Sequence, residues 1–228
     1  MTVHELPVAD AKTNPNPPRP QMHTPPPIDR PGGPDWWLMM KAFLTQGKKI
    51  ASCVPSSEAM ARKMIDGIDW DAAKCIVELG AGTGPITAQL VQRLKPHTRA
   101  VVIELDPTLC ARLRERFHGV PNLDVIEGDA TKFDQYLAER GLPQVDHVLS
   151  GLPLPSFPKG LRNAVLETSA RALSPTGTFR QLTVMPLVYY KMYARFFDDV
   201  KFKFVPWNLP PGGVYLCRGF RNSVTAAK

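Results

Sequence analysis

Cysteine is scarce in this chain and does not carry its architecture. Cys53, Cys75, Cys110 and Cys217 lie far apart, without a Cys-x-x-Cys spacing or a Cys/His cluster, so neither a metal site nor a disulfide framework is signalled. A reduced, cytoplasmic setting fits. Long apolar runs are also missing: none approaches the roughly eighteen residues that cross a bilayer, and the first residues lack the basic-then-apolar order of a secretory signal. The expectation is a soluble or peripheral protein. Acidic residues are the minority, 21 against 28 Lys and Arg, giving a formal charge of +7 and a pI near 9.3. That balance favours an anionic partner, whether nucleic acid, acidic lipid or a phosphorylated substrate, without choosing among them.

Proline is plentiful but unevenly placed. Residues 1–34 hold about ten of the 24 prolines, among polar residues and few large apolar ones, a composition that cannot bury enough surface to fold. This segment reads as a disordered leader before one folded domain, 35–228. At its boundary Asp35 can cap a helix over about 35–47, with Trp36, Trp37, Met40, Phe43 and Leu44 at three-to-four spacing. Two readings of this amphipathic helix stand: packing on the core, or lying on an anionic membrane surface with the paired tryptophans at headgroup depth and Lys41, Lys48 and Lys49 facing acidic lipid. A second helix is expected over 57–65, capped by Ser56 or Ser57 after Pro55.

The chemistry begins at Ile76-Val77-Glu78-Leu79-Gly80-Ala81-Gly82-Thr83-Gly84, an apolar run ending in an acid and then three alternate glycines. It reads as a buried strand, a tight turn and a helix start, where a Cβ would block the backbone beside a bound ligand. Gly84-Pro85-Ile86-Thr87 lacks the lysine of a P-loop, and the second and third glycines are one residue too close for the dinucleotide fingerprint. The E-x-G-x-G-x-G form resembles class I S-adenosylmethionine (AdoMet) methyltransferases instead. A second strand, Val101-Val102-Ile103, ends at Glu104, placed to accept ribose hydroxyls. A third, Leu123-Asp124-Val125-Ile126, runs into Glu127-Gly128-Asp129-Ala130, where Asp129 can accept from the adenine amino group. Helices and strands then alternate, which implies a parallel sheet. A fourth strand ends at Ser150-Gly151-Leu152-Pro153-Leu154, a helix follows over 161–173, Ser174-Pro175-Thr176-Gly177 reads as a turn, and the fifth strand is expected over 178–184. The chain closes with a hairpin joining 200–205 to 214–217 across Asn208-Leu209-Pro210-Pro211-Gly212-Gly213.

Together with Val54-Pro55-Ser56-Ser57, these segments resemble the short bacterial phospholipid N-methyltransferases, relatives of the rRNA adenine dimethyltransferases. The glycine turn is common to methyltransferases; Ser150 to Leu154 and Asn208 to Pro211 are the more specific parts. The resemblance implies an α/β fold with a Rossmann-like, mostly parallel sheet, a C-terminal antiparallel hairpin and preceding amphipathic helices. It also implies AdoMet held by Glu78, Gly80, Gly82, Gly84, Glu104, Asp129 and Ala130. Substrate contacts would come from Ser150, Gly151, Leu152 and Pro153, with Arg180, Lys159 and Tyr189 as candidates for the headgroup. The implied reaction is repeated N-methylation of a membrane aminolipid, phosphatidylethanolamine or an ornithine lipid, by a cytoplasmic enzyme peripheral to the inner membrane surface.

Two other functions fit parts of the pattern. RNA adenine N6-methylation suits the basic charge, but adenine dimethyltransferases carry Asn-Leu-Pro-Tyr or Asn-Leu-Pro-Phe after the fourth strand. There the amide holds the exocyclic amine and the ring stacks on the flipped base. Gly151 and Leu154 stand at those positions, which argues against a nucleic-acid substrate. A membrane-associated protein that binds AdoMet without catalysis is the other alternative, against which the intact glycine turn speaks.

Overall fold

The computed structural model describes residues 54–184, 189–207 and 211–221, with side chains from Glu58 onward. The leader 1–34 and the helix expected over 35–47, with Trp36 and Trp37, lie outside the described residues, as do Asn208-Leu209-Pro210.

The elements are α1 (Val54–Ile65), β1 (Cys75–Leu79), α2 (Pro85–Val91), β2 (Arg99–Glu104), α3 (Pro107–Arg116), β3 (Leu123–Glu127), α4 (Phe133–Ala138), β4 (Val145–Ser150), α5 (Lys159–Ala172), β5 (Leu173–Thr183), α6 (Tyr190–Tyr193), β6 (Phe197–Val205) and β7 (Gly212–Phe220), with short 3-10 turns at Ala130–Lys132 and Leu154–Ser156. They build one seven-stranded sheet in the order β3-β2-β1-β4-β5-β7-β6. Strands β1 to β5 run parallel, and β7 enters antiparallel between β5 and β6. The order reverses beside β1, so the crevice over the β1 and β4 carboxyl ends is where a doubly wound sheet binds its ligand.

Both faces of the sheet are covered, which is why β1 is apolar at almost every position and fully buried. Ile76, Ala100, Leu149 and Val214 pack with Met64 and Ile65 of α1 and with Ile86 and Leu90 of α2. On the other face Val77, Leu79, Val148 and Phe179 meet Phe133 and Leu137 of α4, Val165 and Leu166 of α5, and an aromatic group of Tyr193, Phe197 and Tyr215.

Several boundaries differ from the sequence expectation. Helix α1 begins at Val54, so Ser56 and Ser57 lie inside its first turn, and Pro55 is tolerated there because no earlier carbonyl needs its missing N–H. Helix α5 runs two residues earlier and ends one residue before 173. Strand β5 begins at Leu173, opposite Val145, and bulges before regular pairing resumes at Thr178 opposite His147. Ser174 to Gly177 therefore form an irregular strand segment, and Val184 lies just past its end. The hairpin strands extend further than expected, with Val205 paired to Gly212, so Gly212 and Gly213 belong to β7.

Candidate active site

The glycine turn and the turn after β4 meet backbone to backbone. The Gly80 N–H donates to the Ile103 carbonyl at 2.8 Å, and the Gly151 N–H to the Leu79 carbonyl at 2.9 Å, which locks both turns to the β1 end. A Cβ on Gly151 would come within 2.7 Å of the Gly80 carbonyl oxygen, and one on Gly80 within 2.4 Å of Leu152 Cδ2. Both glycines are required by close approach.

A cleft opens at this junction, lined by Gly80, Glu104, Asp129, Ala130, Leu152 and the aliphatic and aromatic side chains of Phe157, Leu161 and Val165. It holds about 370 Å³ of space counting the solvent at its mouth. Five of the expected site residues, Gly80, Glu104, Asp129, Ala130 and Leu152, thus share one cavity, brought together from the ends of four strands.

Glu104 is nearly buried, and its carboxylate is fully engaged with backbone. Oε2 accepts the Gly82 N–H at 2.8 Å, and Oε1 accepts the Leu105 and Asp106 N–H groups at 2.9 and 3.0 Å. Three of about four lone-pair sites are taken. Asp129 Oδ1 accepts the Thr131 N–H at 2.8 Å, and the Asp129 N–H donates to the Tyr136 hydroxyl at 3.1 Å. The Tyr136 ring lies where a Cβ on Gly128 would stand, so this residue, which the sequence reading missed, fixes the turn that carries Asp129.

Three other expected residues stand behind the cleft. Glu78 points to the opposite sheet face, where its Oε2 accepts the Thr87 hydroxyl at 2.7 Å. Burial raises its carboxyl to about 7. Gly82 adds its N–H to Glu104. Gly84 starts α2 at φ 81, and a Cβ there would meet Leu113 Cδ2 at 2.7 Å; its place is set by packing against α3.

On the substrate side, Ser150 closes β4 and is fully buried, and its Oγ has no partner. Its carbonyl accepts Gln181 Nε2 at 3.2 Å, and the Leu152 carbonyl accepts the same nitrogen at 2.8 Å as well as the Leu154 N–H. Gln181 on β5, also absent from the sequence reading, is therefore the brace of this turn. Leu154 is turned into the core and presents nothing to the cleft, while Pro153 is the residue from which the short 3-10 turn starts.

Of the headgroup candidates, Arg180 is placed elsewhere. It is buried on the α1 face, where Nη1 donates to the Met64 and Asp66 carbonyls at 3.0 and 2.8 Å and Nε to Thr178 Oγ1 at 3.1 Å. The cation closes the C-terminal end of α1, where the helix dipole favours it. Lys159 is exposed at the start of α5. Tyr189 is half-buried, and its N–H donates to the Tyr215 hydroxyl at 3.3 Å.

The chain is similar to a curated ornithine lipid N-methyltransferase from Singulisphaera acidiphila, 48% identical over 189 residues, covering 83% of this chain and 98% of that protein. The chain belongs to that N-methyltransferase family. The family description Ribosomal RNA adenine dimethylase matches residues 55–149, ending one residue before Ser150, and a probable ribosomal RNA small subunit methyltransferase A from Methanosarcina acetivorans is 36% identical over 123 residues, 48% of this chain and 42% of that one. The family-model match thus covers the glycine turn and stops short of the turn after β4. An O-methyltransferase from Bacillus cereus, solved in complex with SAH, superposes with a TM-score of 0.58 at 13% identity, over 78% of this chain and 91% of that one. That likeness shows the class I methyltransferase fold, and AdoMet is the methyl donor of this N-methyltransferase family. The residues fit it: the turn is open at Gly82, where a Cβ would meet nothing within 4 Å, and two strand-end acids, Glu104 and Asp129, line the cleft beside Gly80.

Proposed function

We propose that this protein methylates the primary amine of a membrane aminolipid headgroup, an ornithine lipid or phosphatidylethanolamine, and does so successively. The observation that carries this reading is the turn after β4. Gly151 offers no side chain and Leu154 is buried in the core, so neither position supplies the amide or the stacking ring that adenine dimethyltransferases carry there. Losing base stacking alone costs about 1–3 kcal/mol, whereas an aliphatic amine needs none.

AdoMet supplies a methyl group made electrophilic by the attached sulfonium. Gly80 and Gly82 would pass its tail along the turn. Glu104 would accept ribose hydroxyls in place of the Gly82 N–H, and Asp129 would accept from the adenine amino group beside Ala130. Ser150 Oγ and the Gly151 carbonyl are the acceptors left to orient the amine, because the Leu152 carbonyl is already doubly engaged. The main contribution of the turn is alignment of the attacking nitrogen. An alkylammonium titrates near 10, and the apolar walls Leu152, Leu161 and Val165 favour its neutral, nucleophilic form by desolvation. The same aliphatic walls admit an amine that already carries a methyl group.

The substrate requires contact with a bilayer. We assign this to the basic, amphipathic segment around Trp36 and Trp37, at the cytoplasmic surface of the membrane. Expression in cells that lack methylated aminolipids, with labelled methionine and resolved lipid extracts, tests the function. Label in methylated ornithine lipid or phosphatidylethanolamine is expected; label confined to RNA would transfer the chain to the adenine reading.

A further inference from the structure

Among the described residues, five polar atoms are buried without a hydrogen-bond partner on the sheet face that α4, α5 and α6 cover: Ser150 Oγ, Gln181 Oε1, Arg162 Nε, Tyr193 Oη and Ser169 Oγ. Each such atom is costly when left alone, so a group of them on the site's own side marks a place built for a polar ligand. Their chemistry is sorted by position. At the strand ends Ser150 Oγ and Gln181 Oε1 can accept. On the helices Arg162 Nε and the Tyr193 hydroxyl can donate.

Arg162 stands in the first turn of α5, between Leu161 and Val165, which line the cleft with Leu152. No carboxylate pairs with it among the described residues. Tyr193 is fully buried, its ring tilted against Tyr215 and Phe179 at 4.8 and 6.3 Å between centroids. Burial pushes its phenol well above the usual range, and Tyr193 packs in the same core cluster as Val165 and Leu166, which lie one turn along α5 from Arg162. Tyr193 is thus a neutral donor on the side of the sheet where Arg162 stands, a cation with no counter-charge among the described residues. An anion satisfies both, since charged hydrogen bonds of this kind are the strong ones.

We propose that Arg162 and Tyr193 form an anion subsite that takes the negative group of the substrate headgroup, while Ser150 and Gln181 receive its amine end. This rests on the aminolipid reading above. The ligand class is an amine joined by a short aliphatic chain to an anion, which is a carboxylate in an ornithine lipid and a phosphodiester in phosphatidylethanolamine. The pairing makes the site read both ends of a zwitterion.

The test uses the full chain, AdoMet, and three substrates in mixed micelles: ornithine lipid, its carboxyl methyl ester, and phosphatidylethanolamine. Arg162→Gln is expected to raise the KM of the preferred lipid about tenfold or more with kcat little changed and AdoMet affinity by calorimetry intact; Tyr193→Phe moves KM the same way by less. Esterifying the carboxylate should raise the wild-type KM similarly and leave Arg162→Gln with no further penalty. If the penalty appears on phosphatidylethanolamine instead, the bound anion is the phosphodiester. An unchanged KM in Arg162→Gln, or an equal penalty on acid and ester with no effect on phosphatidylethanolamine, overturns the subsite. Should Arg162→Gln lose AdoMet binding, Arg162→Lys decides: restored AdoMet binding with a KM between wild type and the ester supports the subsite, and continued loss of binding makes Arg162 structural and overturns it. Wild-type inactivity on all lipids is a different result, which sinks the aminolipid reading itself.

Discussion

A Cβ on Gly151 would lie 2.7 Å from the Gly80 carbonyl oxygen, so the turn that faces the substrate and the turn that faces the methyl donor cannot be varied independently. Gly151→Ala must displace one backbone or the other. Overpacking of this kind costs about 1–3 kcal/mol, and AdoMet affinity should fall with it. Gly160→Ala, on α5 with open space around its Cα, is the control and should leave both unchanged or slightly raise stability. Paired thermal melts and AdoMet titrations check this; equal behaviour of the two variants would disconnect the turns.

Gln181 reaches across from β5 to hold the carbonyls of Ser150 and Leu152. Gln181→Glu replaces the donor by a carboxylate facing those oxygens, so methyl transfer should fall by at least tenfold, equivalent to about 1.4 kcal/mol. AdoMet binding should persist, because Gln181 does not line the cleft where the glycine turn lies. Single-turnover rates with saturating AdoMet separate the two effects, and an unchanged rate would remove the brace.

Two groups, buried Glu78 and half-buried His147, give opposite pH slopes. His147 is pulled down to about 4 by burial and by the nearby Arg180 charge, below its ordinary 6.5. The unfolded chain therefore takes up a proton first, and stability falls as pH drops from 6.5 towards 4, by at most about 3 kcal/mol. Glu78, raised to about 7, holds its proton longer when folded, so its contribution is complete below about 4.5 and is lost as pH rises through 7. His147→Gln should flatten the acid limb and Glu78→Gln the limb approaching neutrality, as read from denaturant midpoints across pH 4–8. Unaltered pH profiles in both variants would contradict these burials.

Arg180 closes the end of α1 through the Met64 and Asp66 carbonyls. Arg180→Met orphans both, with a loss of about 1–3 kcal/mol for each, while the KM for lipid should stay near wild type. A raised KM with unaltered stability would return Arg180 to the substrate.

The sheet was legible because its signals are local. An apolar run, an acid and alternate glycines can only be a strand, a tight turn and a helix start, and Glu104 and Asp129 follow at strand ends for the same reason. What stayed hidden depends on strand neighbours far apart in the chain. Nothing near Gln181 in sequence says that it will stand beside Ser150, and Arg180, its immediate predecessor, points to the other face because side chains alternate along a strand. The turn read at Ser174 to Gly177 was a bulge, since proline and glycine mark both. Arg162 gave no local sign, because its lack of a counter-ion among the described residues becomes visible only once α5 is packed on the sheet.

In the proposed reaction the turn from Ser150 to Leu154 selects an aliphatic amine over a base. Purified full-length protein with labelled AdoMet, offered ornithine lipid micelles, phosphatidylethanolamine micelles and unmodified ribosomal RNA in parallel, tests it most directly. Methyl transfer to lipid nitrogen, identified by mass spectrometry of the headgroup, is expected, with none to adenine. Methylated adenine with unmodified lipid would contradict it.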